Sequence, residues 1–200
     1  MAAVVLPPPT RETEIEITEL SWAKDMRPTG AGPTQRQDRV GTRHSIEFDI
    51  PVKRYAWCGA GLASDLALAR TGEGAIIEIP EPGTPEVDYG NPVVNGAPQI
   101  GSSISLRGLT PGSVIKKGKW LSLFANNRWY AHFTTHADVV VPVGGVAVLK
   151  IYPMIRRSPA DGSPVKLAKP VIQGLTKDPV RRKLVRRVGI GLAFAIEEQE

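Results

Sequence analysis

The chain predicts a mainly β protein, a split β-sheet domain with one α-helix, interrupted by a small inserted β-barrel. Three observations carry that expectation. Turn-forming residues recur at short intervals from Asn95 to Gly162, with short apolar or alternating runs between them. The flanks on either side of that region show period-two hydrophobicity, and neither flank alone supplies enough strands to bury a sheet face. The 20 glycines and 18 prolines are spread along the chain, which suits a turn-rich β protein and argues against a helical bundle.

The opening LPPP reads as a short, stiff, extended arm. ETEIEITEL then alternates charge with Ile15 and Ile17 and predicts a strand with one wet face. The segment from Arg27 to Arg43 has no apolar periodicity and reads as a long surface loop, a candidate to order only on assembly. In SIEFDIPV, Ile46, Phe48, Ile50 and Val52 alternate with Glu47, Asp49 and Pro51, which predicts a half-buried strand. A helix is expected from about Tyr55 to Arg70, because Cys58, Leu62 and Leu66 share one face with Ala69 close to it. Gly59 and Gly61 weaken its first turn by ~1 kcal/mol each relative to Ala. The helix stops at Thr71-Gly72, GAIIEIP adds a strand, and EPGTPEVDYGNP marks a boundary.

The insert spans residues 91–170 and the split domain residues 1–90 plus 171–200. Turns are expected at Asn95-Gly96, Pro111-Gly112, Gly118, Asn126-Asn127, Gly144-Gly145 and Asp161-Gly162. Strands are expected in SISLRGL, KWLSLF, RWYAHF, DVVV, VAVLKIYPMI and PVKLA. After the insert, KPVIQGL predicts a short strand, followed by the basic stretch KDPVRRKLVRR and a last strand in VGIGLAFAIEE. In that strand Val188, Ile190, Leu192, Phe194 and Ile196 form a core face. Gly189, Gly191, Ala193 and Ala195 form the other, which lets a second strand layer or a neighbouring subunit approach closely.

A chain of 200 residues buries roughly 70% of its unfolded surface and needs no disulfide to fold. Cys58 is alone, so no internal bridge forms, and the chain is compatible with a reducing compartment. The first residues lack the basic start and apolar core of a signal peptide. No apolar run approaches the ~18 residues that a membrane-spanning helix requires, so no membrane insertion is expected. The chain is read as cytoplasmic and soluble until it is assembled.

No catalytic constellation emerges, and no enzyme activity or cofactor is expected. His132 and His136 share a strand face but lie about 13 Å apart at ~3.3 Å per residue, too far for one metal ion. On a helix the spacing would suit a metal, yet the glutamate of a metalloprotease is missing and Phe133, Thr134 and Thr135 favour a strand. His44 has no visible partner. Cys58 falls on the apolar helix face as a buried structural thiol. Gly59-Ala60-Gly61 lacks the Lys-Ser/Thr pair of a phosphate-binding loop. Glu12, Glu14 and Glu16 alternate along one strand face as solvated charges, which also discourage edge aggregation.

Of the formal net charge of +5, the excess concentrates in Lys177, Arg181, Arg182, Lys183, Arg186 and Arg187, opposed only by Asp178. Such a cluster suits a phosphate backbone, but it carries no aromatic residue for stacking. A subunit contact with an acidic neighbour is the stronger reading. Trp120, Trp129 and Tyr130 are candidates for a sugar platform, against the plainer account of barrel-core packing.

The order of residues in the insert adds a resemblance. Asn95-Gly96-Ala97-Pro98-Gln99-Ile100-Gly101-Ser102-Ser103 is followed by Lys117-Gly118-Lys119-Trp120 and Gly144-Gly145-Val146-Ala147. Pro153-Met154-Ile155-Arg156-Arg157-Ser158-Pro159-Ala160-Asp161-Gly162-Ser163-Pro164-Val165 closes the series. Over Asn95–Val165 this series resembles the distal tail proteins of long-tailed bacteriophages, with Lys119 standing where many relatives carry an acidic residue. The resemblance implies a structural virion protein, made in the host bacterial cytoplasm, that joins the tail tube to the baseplate or tail tip. It implies a homo-oligomer closed as a six-fold ring, with the tail tube protein on one side and tip or hub proteins on the other. DNA passing through the tail lumen would then meet a basic lining weakly and without sequence preference. The alternatives are a nucleic-acid-binding β-barrel and a carbohydrate-binding host-recognition module of a tail tip.

Overall fold

The computed structural model describes residues 3–37, 41–53, 60–71, 74–83, 87–185 and 189–199. It is mainly β, with one helix among the described residues. In chain order, β1 (Val4–Val5), β2 (Glu14–Leu20), β3 (Lys24–Met26), β4 (Gln35–Gln37) and β5 (Arg43–Lys53) precede α1 (Ala60–Ala69) and β6 (Ala75–Glu78). Next come β7 (Gly90–Val94), β8 (Gly101–Leu109), β9 (Val114–Ile115), β10 (Trp120–Ala125) and β11 (Arg128–Thr134). The order closes with β12 (Val139–Val140), β13 (Ala147–Ile155), β14 (Val165–Lys166), β15 (Val171–Val185) and β16 (Gly189–Glu198).

A first six-stranded sheet runs β1-β6-β15-β16-β5-β2 and so takes strands from both ends of the chain. Alternation decides which face of it is dry. Ile46, Phe48 and Ile50 of β5 and Ile190, Leu192, Phe194 and Ile196 of β16 are buried, and Leu62, Leu66 and Ala69 of α1 pack into the same core. The rings of Phe48 and Phe194 stack with centroids 5.3 Å apart. Two glycines are needed where strands crowd: a Cβ on Gly174 would lie 2.0 Å from the Glu197 carbonyl oxygen, and one on Gly74 2.0 Å from that of Gly174.

The second six-stranded sheet runs β14-β10-β11-β13-β8-β7 and curls into a nearly closed, barrel-like form. Its two edges meet where Val93 bridges Pro164 and where the amide of Val94 donates to the Ser163 carbonyl at 2.9 Å. Asn126 and Asn127, both at positive φ (47° and 60°), make the two-residue turn between β10 and β11 that the hand of strand twist favours. Its core holds Ile104, Leu106, Leu121, Leu123, Leu149 and Ile151.

The structure corrects several sequence expectations. The described part of the Arg27–Arg43 loop carries β4, which pairs with β3 just before the loop, and the first residue of β5; the β3 and β4 side chains are all exposed, which is why no periodicity marked them. The short strand expected in KPVIQGL is instead the 15-residue β15, so the described part of the basic run is strand and not a connection. His136 lies in a turn at φ 69°, beyond the end of β11 that carries His132. The helix is described from Ala60; Tyr55, Cys58 and Gly59 lie outside the described residues, as does Gly72. No helix of the described residues is long and apolar enough to cross a membrane.

Candidate assembly surface and the junction between the sheets

The outer face of the first sheet is built in rows. Register places Glu14 opposite Asp49, Asp49 opposite Ala193, and Ala193 opposite Arg181. The next row is Glu16, Glu47, Ala195 and Lys177. Acidic residues thus line β2 and β5, alanines line β16, and basic residues line β15. Together they border a shallow trough of about 670 Å³ with the two alanines in its floor. Carboxylates directly opposite each other on one face repel. Among the described residues Glu14, Glu16, Glu47 and Asp49 make no ion pair, and neither does Arg181.

Both outer strands of this surface leave an edge open. β6 pairs with β15 only from Val171 to Gly174, so among the described residues no strand pairs with the outer edge of Leu175–Val185. At the far side, among the described residues, β2 pairs only with β5. One open edge is therefore basic and the other acidic.

The members of the basic run do different things. Lys177 reaches Glu197 at 3.4 Å, while Arg181 and Lys183 are exposed. Arg182 points to the opposite face, where its Nη2 donates to the Ala63 carbonyl of α1 at 3.2 Å. Arg186 and Arg187 lie outside the described residues. Gly191 is small because of β5: a Cβ there would come within 3.2 Å of the Ile50 carbonyl oxygen. Gly189, Ala193 and Ala195 are half-buried.

A second polar assembly lies between the two sheets. β11 pairs with β13 only at Phe133 and Thr134, so the rest of its edge must be satisfied otherwise. Side chains of the first sheet do this: Gln173 Oε1 accepts from the Trp129 amide at 3.0 Å and Glu198 Oε1 from the Ala131 amide at 2.6 Å. Glu81 accepts from the Trp120 amide at 2.9 Å and ion-pairs with the buried Lys119. The Ser122 hydroxyl both donates to and accepts from the Val171 backbone.

Glu198 is the centre of this junction. It is 2% exposed, and its Oε2 accepts from Arg156 Nη2 at 2.7 Å and from the His44 amide at 3.1 Å. Burial pushes its carboxyl above the usual range, against the opposing pull of Arg156. The Arg156 guanidinium lies 5.0 Å from the centre of the Tyr130 ring. His132 Nδ1 donates to the Pro153 carbonyl at 2.8 Å, and the His44 ring packs edge-on against Trp120 at 4.9 Å. Burial, with Arg156 adding to it, lowers His44 to about 4; burial also lowers His132, to about 3.

His44 therefore has partners where the sequence showed none, and its role and that of Glu198 were missed. Strand parity was the signal that could have found both. Glu198 follows Ile190, Leu192, Phe194 and Ile196 on the core face of β16, and His44 precedes Ile46, Phe48 and Ile50 on that of β5. Nothing local marks Arg156. Among the aromatic residues, Trp120 packs against the first sheet's core and Tyr130 is buried. Trp129 is flanked by Phe124 at 5.0 Å and by Lys166 Nζ at 4.6 Å from its ring centre.

The segments that carry the sequence resemblance meet each other. Asp161 Oδ1 accepts from the Gly96 amide at 2.8 Å and from Arg107 Nη1 at 2.7 Å, bonds that hold its carboxyl below the usual range. Ser158 Oγ accepts from the Gln99 amide, and the Gln99 side chain donates to Asn95 and Gly96 carbonyls while accepting from Ser105. These polar residues staple the seam of the barrel-like sheet. No group of three or more metal-ligating side chains is gathered among the described residues. No protein-family model and no curated protein matches the chain.

Proposed function

We propose that the chain is a structural, non-enzymatic ring component of a phage tail, joining the tail tube to the tip or baseplate. In this reading residues 1–90 and 171–200 form the ring-building domain, and residues 91–170 are an inserted barrel carried on it. The observation that carries the assembly role is the pair of open edges with opposite charge. In one chain, β16 keeps the acidic column of β5 about 10 Å from the basic column of β15, since neighbouring strands lie ~4.8 Å apart. If β2 of one copy adds to the open edge of β15 on the next, Glu14 and Glu16 come within one strand spacing of Lys177 and Arg181. That contact relieves the unpaired carboxylate rows.

Charge also selects the mode of pairing. Two β2 edges would oppose acids and two β15 edges would oppose bases, so head-to-tail addition is the attractive arrangement. Head-to-tail contacts close into rings when the rotation between copies closes. The identity of the ring rests on the resemblance over Asn95–Val165, and the tail tube, tip proteins and six-fold order belong to this proposal alone. The nucleic-acid reading is weaker, because Arg182 is engaged with α1. The sugar reading is weaker because Phe124 and Lys166 crowd the Trp129 ring.

Light scattering of the purified chain, with negative-stain imaging of any large species, tests the proposal. The expected result is a discrete ring whose mass is a whole multiple of 21.6 kDa. A chain that stays monomeric at every concentration, or one that binds DNA with steep salt dependence and forms no ring, would count against it.

A further inference from the structure

The junction between the sheets combines a few strong bonds with polar atoms that, among the described residues, are buried without a protein partner. These are Nε of Arg43, both ring nitrogens of His44, the Tyr130 hydroxyl, Nε and Nη1 of Arg156, and the Thr176 hydroxyl. Each sheet keeps its own core apart from this cluster, although Trp120 and Ala131 of the second sheet pack against the first. Two chain crossings, residues 79–89 and 167–170, connect the sheets. Opening the junction therefore breaks a small set of contacts and hydrates the atoms that lack partners.

We propose that this cluster is an acid-released latch: it clamps the barrel-like sheet onto the first sheet at neutral pH, and protonation of His44 and His132 frees that sheet while both sheets stay folded. The inference stands apart from the assembly reading. The titratable and charged groups facing the cluster come from seven strands and the turn after β13. They are Glu19 of β2, Arg36 of β4, Arg43 and His44 of β5, Arg128, Tyr130 and His132 of β11, Tyr152 of β13, Arg156 after it, Lys177 of β15, and Glu197 and Glu198 of β16. Glu197 is bound to Arg43 and Lys177 and Glu19 to Tyr152, so among the described residues Glu198 is the counter-charge bound to Arg156. A proton on either histidine adds a second cation beside that guanidinium with nothing to balance it.

The sign follows from linkage. Both histidines titrate in the closed form far below 6.5, at about 4 and about 3, and return towards 6.5 when hydrated. Their contribution is complete above pH 6.5 and is lost as pH falls towards those values. Glu198 is shifted the other way, so opening releases at most one proton from it above 4.5. Uptake by the two histidines outweighs that release over most of the range, and the opening constant rises about 30-fold or more in all from pH 6.5 down to 4.5.

Amide exchange measured by NMR, corrected for the intrinsic rate at each pH, reads the latch directly. Protection of Trp129 and Ala131, whose amides bond across the junction, should fall about 30-fold or more between pH 6.5 and 4.5, while Leu149 and Phe194 keep theirs. Unchanged protection at the junction, or a fall shared by all four amides, overturns the proposal. His44→Asn with His132→Asn should abolish the fall, leaving junction protection flat or, through Glu198, rising as pH drops; a fall like that of the natural chain overturns it. If that variant does not fold, Glu198→Gln at pH 7 should lower protection of the Trp129 and Ala131 amides alone, and no change there overturns the proposal.

Discussion

Glu198 sits on the core side of β16, in phase with four large apolar side chains, and a charge there is tolerated because three donors meet it. Removing one partner of a buried pair costs more than the pair is worth, because the other is left uncompensated. Glu198→Ala is therefore expected to destabilise the chain by ~3–5 kcal/mol in urea denaturation, with Arg156 and two backbone amides stranded. Gly174 makes a second residue-scale prediction. A Cβ there meets backbone, which cannot swing aside, so Gly174→Ala should cost ~3 kcal/mol or more. Gly112→Ala, with open space around it but φ at 78°, should cost only the ~1–2 kcal/mol of a left-handed backbone. Comparable losses in the two variants would show that close packing at Gly174 is not what demands glycine.

At the scale of elements, alternation made most strands readable. β5 and β16 each bury one face, while the other is largely exposed on β5 and half-buried on β16, and the alternation of their residues announces it. β15 was hidden because Arg181 and Arg182 put charge on both faces, one towards the trough and one towards the Ala63 carbonyl, so no period of two survives. The β3–β4 hairpin was hidden for the opposite reason, since neither face is buried and no side chain is constrained. Segments such as SISLRGL and RWYAHF fall within observed strands, whereas β7 and the two-residue β9 are too short or too exposed at their ends to show a pattern. The junction was missed: strand parity would place Glu198 and His44 on buried faces, but which groups they meet depends on how the sheets are brought together. The open edges predict that Lys177→Glu with Arg181→Glu will shift the stability of the single chain by less than ~0.5 kcal/mol, as exposed substitutions do. Assembly should be lost. Thermal melting and light scattering on the same sample separate the two effects.

As a whole, the molecule is a sheet with an acidic edge on one side and a basic edge on the other, with a barrel-like sheet held against it by a buried polar junction. The most direct test is the sedimentation of two complementary variants, Lys177→Glu/Arg181→Glu and Glu14→Lys/Glu16→Lys, alone and mixed in equal amounts. The first carries two acidic edges and the second two basic ones. Neither variant should assemble alone, whereas the mixture should give a discrete large species of alternating copies. If each variant assembles alone as the natural chain does, or if the natural chain assembles and the mixture remains monomeric, the two edges do not recognise each other and the central claim fails.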